Sequence, residues 1–302
     1  MRFTRVLALG ASALVLLSAC STGGGSKPTV KVGSDGFYEA KLMAEIYAQA
    51  LEAGGYTVDR TGIGIGARKV SAPALESGQI DLKPEYIGSG LAFYEPGKQT
   101  GDPAANATAL QAILTTKGGG ITVLTYSPAA DQNAFVVRKD TATQLNLAKL
   151  SDTTAVQDQL KWGLATDCKT NAVCAVALKS AYGLDPKNIT PLAPCDTPMA
   201  QALVNKTIDV AELCSTQPDI AVNGFVVLTD DKQTQPADNL APLVRNDLLA
   251  KVDKTAFEKI LNDVSAKMDT ATLTDLGKQI TVDKKDIAAV AKAWLQTAGL
   301  VK

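Results

Sequence analysis

Strand-like and helix-like segments alternate along most of this chain, and that alternation limits the folds it can adopt. Residues 28–34 alternate apolar with polar side chains, and residues 39–53 place their apolar side chains on one helical face before Gly54 and Gly55. Residues 56–60 then have the pattern of a second strand. A β-α-β beginning of this kind predicts a right-handed crossover and a largely parallel sheet that is covered by helices.

The same alternation continues to the end of the chain. Further strands are predicted at 80–82, 120–124, 133–138, 162–165, 189–192, 209–213 and 225–228, and further helices at 68–76, 87–93, 105–115, 174–182, 197–205, 255–268, 272–280 and 284–298. The series restarts near residue 131, so two α/β lobes are expected. Lobe I is predicted to hold residues 28–130 and 224–302, lobe II residues 131–223, and the two crossover segments to lie near 132–134 and 215–223.

The amino terminus has the pattern of an export signal. Two arginines precede an apolar run at residues 6–17, which is shorter than the roughly 20 residues of a spanning helix, and Leu-Ser-Ala-Cys ends at Cys20. We predict a signal peptide at 1–19 and a lipidated cysteine with a flexible tether at 20–27. The alternative is a signal peptide that merely contains a cysteine. With no second apolar run, the mature protein is expected outside the cytoplasm, attached to the outer face of the cell membrane through its lipid alone.

Composition argues against several classes of function. The sequence contains no histidine, which excludes Ser-His-Asp triads and histidine-ligated zinc. The net charge is −1 and no long basic run occurs, so nucleic acid is not an expected partner. We therefore expect no catalytic residue, no metal and no cofactor, and an extracytoplasmic enzyme is only a remote alternative.

Four cysteines remain when Cys20 is set aside for lipidation. An even number in an oxidising compartment predicts two disulfides, and we favour Cys168 with Cys174 and Cys195 with Cys214. The second pair would lie beyond the carboxyl ends of neighbouring parallel strands. Metal ligation is the alternative, but the spacings include no CxxC pair.

A glycine-rich stretch at residues 62–67 lies between a predicted strand and a predicted helix. Its glycines are evenly spaced and do not match the G-x-G-x-x-G pattern of nucleotide loops. The backbone N–H groups of such a loop can face a ligand at the helix amino terminus, and a plain tight turn is the alternative.

The segment at residues 84–91 brings a tyrosine next to a helix start. Tyr86 offers an aromatic face and a hydroxyl beside free backbone donors, which suits a small amphipathic solute. Glu85 alternatively suggests acid-base chemistry or a favourable charge at the helix dipole. Binding is the interpretation that we prefer.

Several of these segments together resemble one family. Residues 32–39, 64–67, 74–82, 84–91 and 228–232 are similar to ProX/OpuC-type substrate-binding lipoproteins of ABC importers, and the resemblance runs from about residue 29 to the end of the chain. It implies an α/β, two-lobed periplasmic-binding-protein fold of the type II, Venus-flytrap class with two crossovers. It also implies a monomer that captures glycine betaine, choline, carnitine or a related osmoprotectant and delivers it to permease subunits.

The chain departs from the family where the ligand's cation is expected. Members that bind betaine surround the quaternary ammonium with aromatic rings, and Tyr86 matches one cage tyrosine. Asn133, Cys214 and Asp238 stand where other rings are expected, and residues 167–172 offer no counterpart of the family's carboxylate-binding arginine. The alternative is therefore the same fold with a neutral polar or polyhydroxylated aromatic solute.

The predicted ligand-binding residues come from lobe I and from both predicted crossovers. Tyr86 is expected to supply the aromatic surface, and Ser89 and the amides to supply hydrogen bonds. Arg68 could bind an anionic group of the solute, and a solvated surface arginine is the alternative. The full set is Asp35, Phe37, Tyr38, Arg68, Tyr86, Ser89, Gln132, Asn133, Thr216 and Gln217.

Overall fold

The computed structural model describes residues 27–302. The predicted signal peptide, Cys20 and most of the predicted tether lie outside these residues. Within them, no helix combines the length and apolar character needed to cross a membrane.

The described residues form two five-stranded mixed sheets. The strands are β1 (Thr29–Asp35), β2 (Thr57–Gly66), β3 (Leu82–Tyr86), β4 (Ile121–Val123), β5 (Asn133–Val137), β6 (Trp162–Ala165), β7 (Ile189–Leu192), β8 (Val210–Cys214), β9 (Val226–Val227) and β10 (Leu240–Arg245). The first sheet has the order β2-β1-β3-β10-β4, and the second has the order β7-β6-β8-β5-β9. Strand β10 runs antiparallel to both its neighbours in the first sheet, and β5 does so in the second.

Helices connect the strands and cover the sheets, and several begin at an aspartate. Asp102, Asp253, Asp269 and Asp286 each accept a hydrogen bond from a backbone N–H of the first helical turn, which satisfies a donor that the helix itself cannot pair. The helices are α1 (Tyr38–Ala53), α2 (Arg68–Ser77), α3 (Ile87–Tyr94), α4 (Pro103–Leu114), α5 (Lys139–Leu145), α6 (Ala175–Ala177, continued by a π-helical turn at Leu178–Tyr182), α7 (Thr197–Val204), α8 (Asp219–Val222), α9 (Asn246–Leu249), α10 (Lys254–Lys267), α11 (Thr270–Thr281) and α12 (Ile287–Thr297).

Each sheet has its own hydrophobic core. Around the first sheet, Ile46 of α1 is buried in the same cluster as Phe257 of α10 and Leu295 of α12. Around the second sheet, Phe135 and Trp162 are fully buried in a separate cluster. Because no hydrophobic cluster among the described residues contains residues of both sheets, we call the part built on the first sheet lobe I and the part built on the second sheet lobe II.

The return of the chain to lobe I lies later than the predicted boundary at residue 224. Strand β9 pairs with β5 in the second sheet, and Leu228 is buried in the second core. The chain re-enters lobe I near Asn239, which bridges to Ala130. The second crossover is therefore the segment at residues 229–239 and not the predicted one at 215–223.

The glycine-rich stretch is part of a strand and not the predicted loop. Strand β2 continues to Gly66, with β-bulges in its pairing with β1. A Cβ on Gly62 would lie 2.4 Å from Ile80, and one on Gly33 would lie 2.5 Å from the same side chain. The bare glycine backbone thus lets Ile80 pack against the sheet, and α2 begins directly after it.

Candidate functional site

A cavity of about 360 Å³ lies between the two lobes. It opens where β1, β3, β6 and β8 end, which is the edge at which open α/β sheets bind their ligands. Its lining comes from both lobes and from both crossovers. The lining residues are Asp35, Gly36, Phe37, Gly66, Ala67, Arg68, Tyr86, Ser89, Asp131, Gln132, Asn133, Ala165, Thr166, Asp167, Asn171, Val173, Ala193, Pro194, Cys195, Asp196, Glu212, Cys214 and Asp238.

Two aromatic rings line the lobe I side of the cavity. The ring centroids of Phe37 and Tyr86 lie 5.8 Å apart at an interplanar angle of 33°. Tyr86 ends β3 and is 5% exposed, and its hydroxyl donates a hydrogen bond of 2.5 Å to Oε1 of Glu39. Packing and this hydrogen bond therefore fix the tyrosine ring in one position.

A buried carboxyl pair lies beside these rings. Glu39 accepts a second hydrogen bond of 2.6 Å from Oγ1 of Thr216, which links α1 of lobe I to the segment after β8. Asp131 accepts bonds of 3.0 Å from Oγ of Ser215 and from the backbone N–H of Thr216. Burial raises the pKa of Asp131 to about 6, and burial together with the charge of Asp131 raises the pKa of Glu39 well above its usual range.

A buried ion-pair network lies on the lobe I side of the cavity. The ammonium group of Lys83 is 3.1 Å from Asp35 and 3.0 Å from Glu85, and Nη2 of Arg68 is 2.9 Å from Glu85. Burial alone would raise the pKa of Glu85, but the charges of Arg68 and Lys83 outweigh it and hold that pKa at about 2. A carboxyl group with so low a pKa is neither an acid nor an effective base near neutral pH, and both of its oxygens are occupied by Arg68 and Lys83, which argues against the acid-base interpretation. The two cations and two carboxylates in this network compensate each other.

Asp238 caps helix α3 from the second crossover. Its Oδ1 accepts hydrogen bonds of 2.8 Å from the N–H of Gly88 and 2.9 Å from the N–H of Ser89. The hydroxyl of Ser89 also donates to this carboxylate. Burial raises the pKa of Asp238 to about 7, against the opposing effects of the Ser89 hydrogen bonds and the charge of Arg68.

Both predicted disulfides are confirmed, and both lie at the lobe II side of the cavity. The Cα atoms of Cys168 and Cys174 are 5.1 Å apart, and those of Cys195 and Cys214 are 4.8 Å apart. The expected reason for the second pair was wrong in one respect, because β6 lies between β7 and β8. The bond instead joins the segment after β7 to the end of β8, on either side of β6.

Neither disulfide leaves a thiolate for a metal. Among the described residues, Asp131 approaches Cys195 and Cys214, and Glu212 approaches Cys168 and Cys174. Zinc binds cysteine as thiolate, and these sulfurs are already bonded to each other. These two groups therefore do not have the donors of a metal site.

Seven of the ten predicted ligand-binding residues line the cavity, and three do not. Those that line it are Asp35, Phe37, Arg68, Tyr86, Ser89, Gln132 and Asn133. Tyr38 packs against Gly277, where an added Cβ would lie 3.1 Å from its hydroxyl. Thr216 donates to Glu39, and Nε2 of Gln217 donates to Asp219 at 3.1 Å. These three side chains are buried within the protein instead of facing the cavity.

Sequence reasoning missed four of the carboxyl groups that line the cavity. Asp131, Asp167, Asp196 and Glu212 line it and were not predicted. Glu212 carried a usable signal, because a lone acidic residue interrupts the apolar strand Val-Ala-Glu-Leu-Cys. A buried strand tolerates such a group only where it is paired or has a function.

Comparison with known proteins places the chain in a family. Residues 28–297 match the family model for the substrate-binding domain of the ABC-type glycine betaine transport system. The chain is 30% identical to the glycine betaine-binding protein YehZ of Escherichia coli over 98% of its length and 99% of that protein's. It is 26% identical to the carnitine transport binding protein OpuCC of Listeria monocytogenes, over 93% of this chain and 92% of that one.

A solved structure shares the fold. The crystal structure of a glycine betaine/carnitine/choline ABC transporter superposes with a TM-score of 0.68 at 23% identity, covering 90% of this chain and 99% of the other. This likeness confirms the two-lobed α/β fold of periplasmic binding proteins. The family resemblance of the sequence is confirmed as well, by the match over residues 28–297. The chain belongs to the family of substrate-binding domains of ABC-type glycine betaine transport systems.

Proposed function

We propose that this protein captures a small quaternary ammonium solute of the glycine betaine, choline or carnitine class and delivers it unchanged to the permease of an ABC importer. One observation carries the proposal: an interlobe cavity is lined by two aromatic rings from lobe I and by carboxyl groups from lobe II. Rings and carboxylates both attract a cation that has lost its water.

The position of the cavity supports delivery by opening and closing. A solute that touches both lobes stabilises the closed arrangement relative to the open one, because only the closed arrangement makes both sets of contacts. The crossovers near Asp131 and at residues 229–239 are the segments about which the lobes would rotate.

We further propose that the protein acts as a monomer held by a lipid on Cys20 at the outer face of the cell membrane. The family's extracytoplasmic location agrees with two disulfides, which persist in oxidising compartments. Binding without chemical conversion is also part of the proposal, because members of this family bind solutes for transport.

A second candidate ligand class keeps the same cavity. Gln132, Asn133 and Asn171 line it with amide groups, and its only rings among the described residues are those of Phe37 and Tyr86. Amides favour a neutral polar or polyhydroxylated aromatic solute, since each offers both a donor and an acceptor. Titration with quaternary ammonium solutes separates the two classes.

Isothermal titration calorimetry with glycine betaine, choline and carnitine tests the proposed function. We expect at least one of the three to bind. Tyr86→Ala should then weaken its affinity by about tenfold, since a desolvated ring contact to a cation contributes about 0.5–2 kcal/mol. Tyr86→Phe keeps the ring and should weaken binding less.

Phe93→Ala is the matched control, because this ring is 41% exposed and lies outside the cavity. It should leave the affinity unchanged. Failure of all three solutes to bind the purified protein would contradict the proposed function and favour the neutral-solute alternative.

A further inference from the structure

Charge is distributed unevenly between the two sides of the cavity. On the lobe I side, Arg68 and Lys83 compensate Glu85 and Asp35. We call the lining residues contributed by lobe II the lobe II wall: Asn133, Ala165, Thr166, Asp167, Asn171, Val173, Ala193, Pro194, Cys195, Asp196, Glu212 and Cys214. This wall contains three carboxyl groups and, among the described residues, no lysine, arginine or aromatic ring.

Glu212 is the most deeply buried of the three carboxyl groups. It lies on β8 opposite Phe135 of β5 and is 1% exposed. Its Oε2 accepts a hydrogen bond of 2.8 Å from the backbone N–H of Ala165. Within residues 27–302, Oε1 accepts no hydrogen bond from the protein, and no cation pairs with the group. The nearby charge that acts on it is the like charge of Asp167.

A carboxyl group in this position is unfavourable for the protein alone. Burial without a cationic partner disfavours its charged form and raises its pKa to about 7. A cation that enters the cavity removes this penalty, because it supplies the opposite charge at short range and low dielectric. Lobe I offers such a cation the two rings of Phe37 and Tyr86, whereas the lobe II wall offers no ring.

We propose that Glu212 is a specificity-determining residue whose free carboxylate oxygen contacts the positively charged group of the solute, on the side away from the rings of Phe37 and Tyr86. This proposal rests on the proposed function. The carboxylate takes the place of the rings that the lobe II wall lacks, and it makes closure of the lobes depend on the charge of the solute as well as on its shape.

A pair of probes that differ only in charge tests this role. Choline carries a quaternary nitrogen, and 3,3-dimethylbutan-1-ol has the same shape with a neutral carbon in its place. We expect Glu212→Gln to lower the affinity for choline by about tenfold or more, measured by titration calorimetry at pH 8. The affinity for the neutral probe should stay within about twofold, because the glutamine amide oxygen can still accept from Ala165.

Asp185→Asn is the matched control for long-range electrostatics. Asp185 is an exposed lobe II carboxylate that pairs with Lys179 and Lys187 outside the cavity. The variant changes the net charge by the same amount as Glu212→Gln and should leave both affinities unchanged.

Two results would overturn the proposal. An unchanged affinity of Glu212→Gln for choline would show that the carboxylate does not contact the cation, and an equal loss for both probes would show a role in shape alone. If the glutamine variant does not fold, Glu212→Asp replaces it, because the aspartate retains the charge at a greater distance. A weaker affinity of that variant for choline only would support the proposal, and an unchanged affinity would overturn it.

The wild-type measurements distinguish a failure of this proposal from a failure of the proposed function. Wild-type protein that binds choline while Glu212→Gln binds it equally well would remove only the role of Glu212. Wild-type protein that binds none of choline, glycine betaine and carnitine would remove the proposed function and this inference together.

Discussion

Several carboxyl groups are buried in this protein although their burial does not stabilise the fold. Burial raises the pKa of Asp131 to about 6 and those of Glu212 and Asp238 to about 7. Each raised pKa means that the charged form is less favourable in the folded protein than in the unfolded chain. All three residues line one cavity, which agrees with the tendency of perturbed groups to cluster at binding sites.

The pH dependence of stability follows from the sign of these shifts. The pKa of Glu212 rises from 4.5 to about 7 on folding, so the folded state holds this proton more tightly. Its contribution to stability is fully present below about pH 4.5 and is lost as the pH rises through about 7. Glu212→Gln removes this titration, so without ligand it should raise the melting temperature relative to wild type more at pH 8 than at pH 5.

Thermal unfolding at the two pH values measures this difference, with Asp185→Asn as the control. A melting-temperature difference between Glu212→Gln and wild type that is the same at pH 5 and pH 8 would contradict the expectation.

Among the secondary-structure elements, the junction of β3 and α3 depends on a glycine for its packing. A Cβ on Gly88 would lie 2.6 Å from the carbonyl oxygen of Ala237 and 2.7 Å from Cβ of Pro236. Gly88→Ala would therefore push the second crossover away from α3 and disturb the cap from Asp238. Overpacking of this kind costs about 1–3 kcal/mol, so we expect a melting temperature lower by several degrees and weaker ligand binding.

Gly101→Ala is the control for that substitution, because nothing lies within 4 Å of its added Cβ. Thermal unfolding and calorimetry of both variants provide the comparison. Equal melting temperatures for the two variants would show that the second crossover can move away from α3 without lowering the stability of the protein.

The disulfides support the loops of the lobe II wall. Replacing Cys195 and Cys214 with serine should lower the free energy of unfolding by about 3 kcal/mol, and replacing Cys168 and Cys174 by about 2 kcal/mol, because the bond between Cys168 and Cys174 closes the shorter loop. The first double variant should also bind ligand more weakly, since Pro194 and Asp196 line the cavity beside Cys195. Denaturant unfolding and calorimetry measure both effects, and unchanged binding would show that the loop keeps its shape without the bond.

The sequence identified most elements because their periodicity is local. It missed β10, which is an interior strand of the first sheet and contains Pro242. A proline in a central strand is unusual because it cannot donate a hydrogen bond. Here Pro242 stands opposite Pro84 of β3, so neither residue needs a donor at that position in the pairing. The pairing of these two prolines depends on the register between two strands that are far apart in the sequence. The periodicity of a single segment does not predict that register.

The end of β2 was missed for a different reason. The even spacing of Gly62, Gly64 and Gly66 is the period of two that a strand has, but glycine usually indicates a turn. The side-chain network of the cavity also depends on distant contacts, since Glu39 and Thr216 are 177 residues apart. Tyr86 was found because its motif is local to β3 and α3.

At the scale of the whole molecule, the two cores and two crossovers predict a change of shape on binding. The ligand that binds in the calorimetric test should reduce the radius of gyration in small-angle X-ray scattering, because it favours the closed arrangement of the lobes. Glu212→Gln at the same ligand concentration should show a smaller reduction for choline. A radius of gyration that is identical with and without saturating ligand would contradict closure.

The location of both cross-links on one side of the cavity has a further consequence for when the protein becomes competent. Lobe I holds its half of the site by ion pairs and packing, whereas the facing loops of lobe II are braced by bonds that form only after oxidation. A newly made chain in a reducing compartment would therefore bind its ligand weakly. Formation of the disulfides after export would then determine when the protein becomes able to bind.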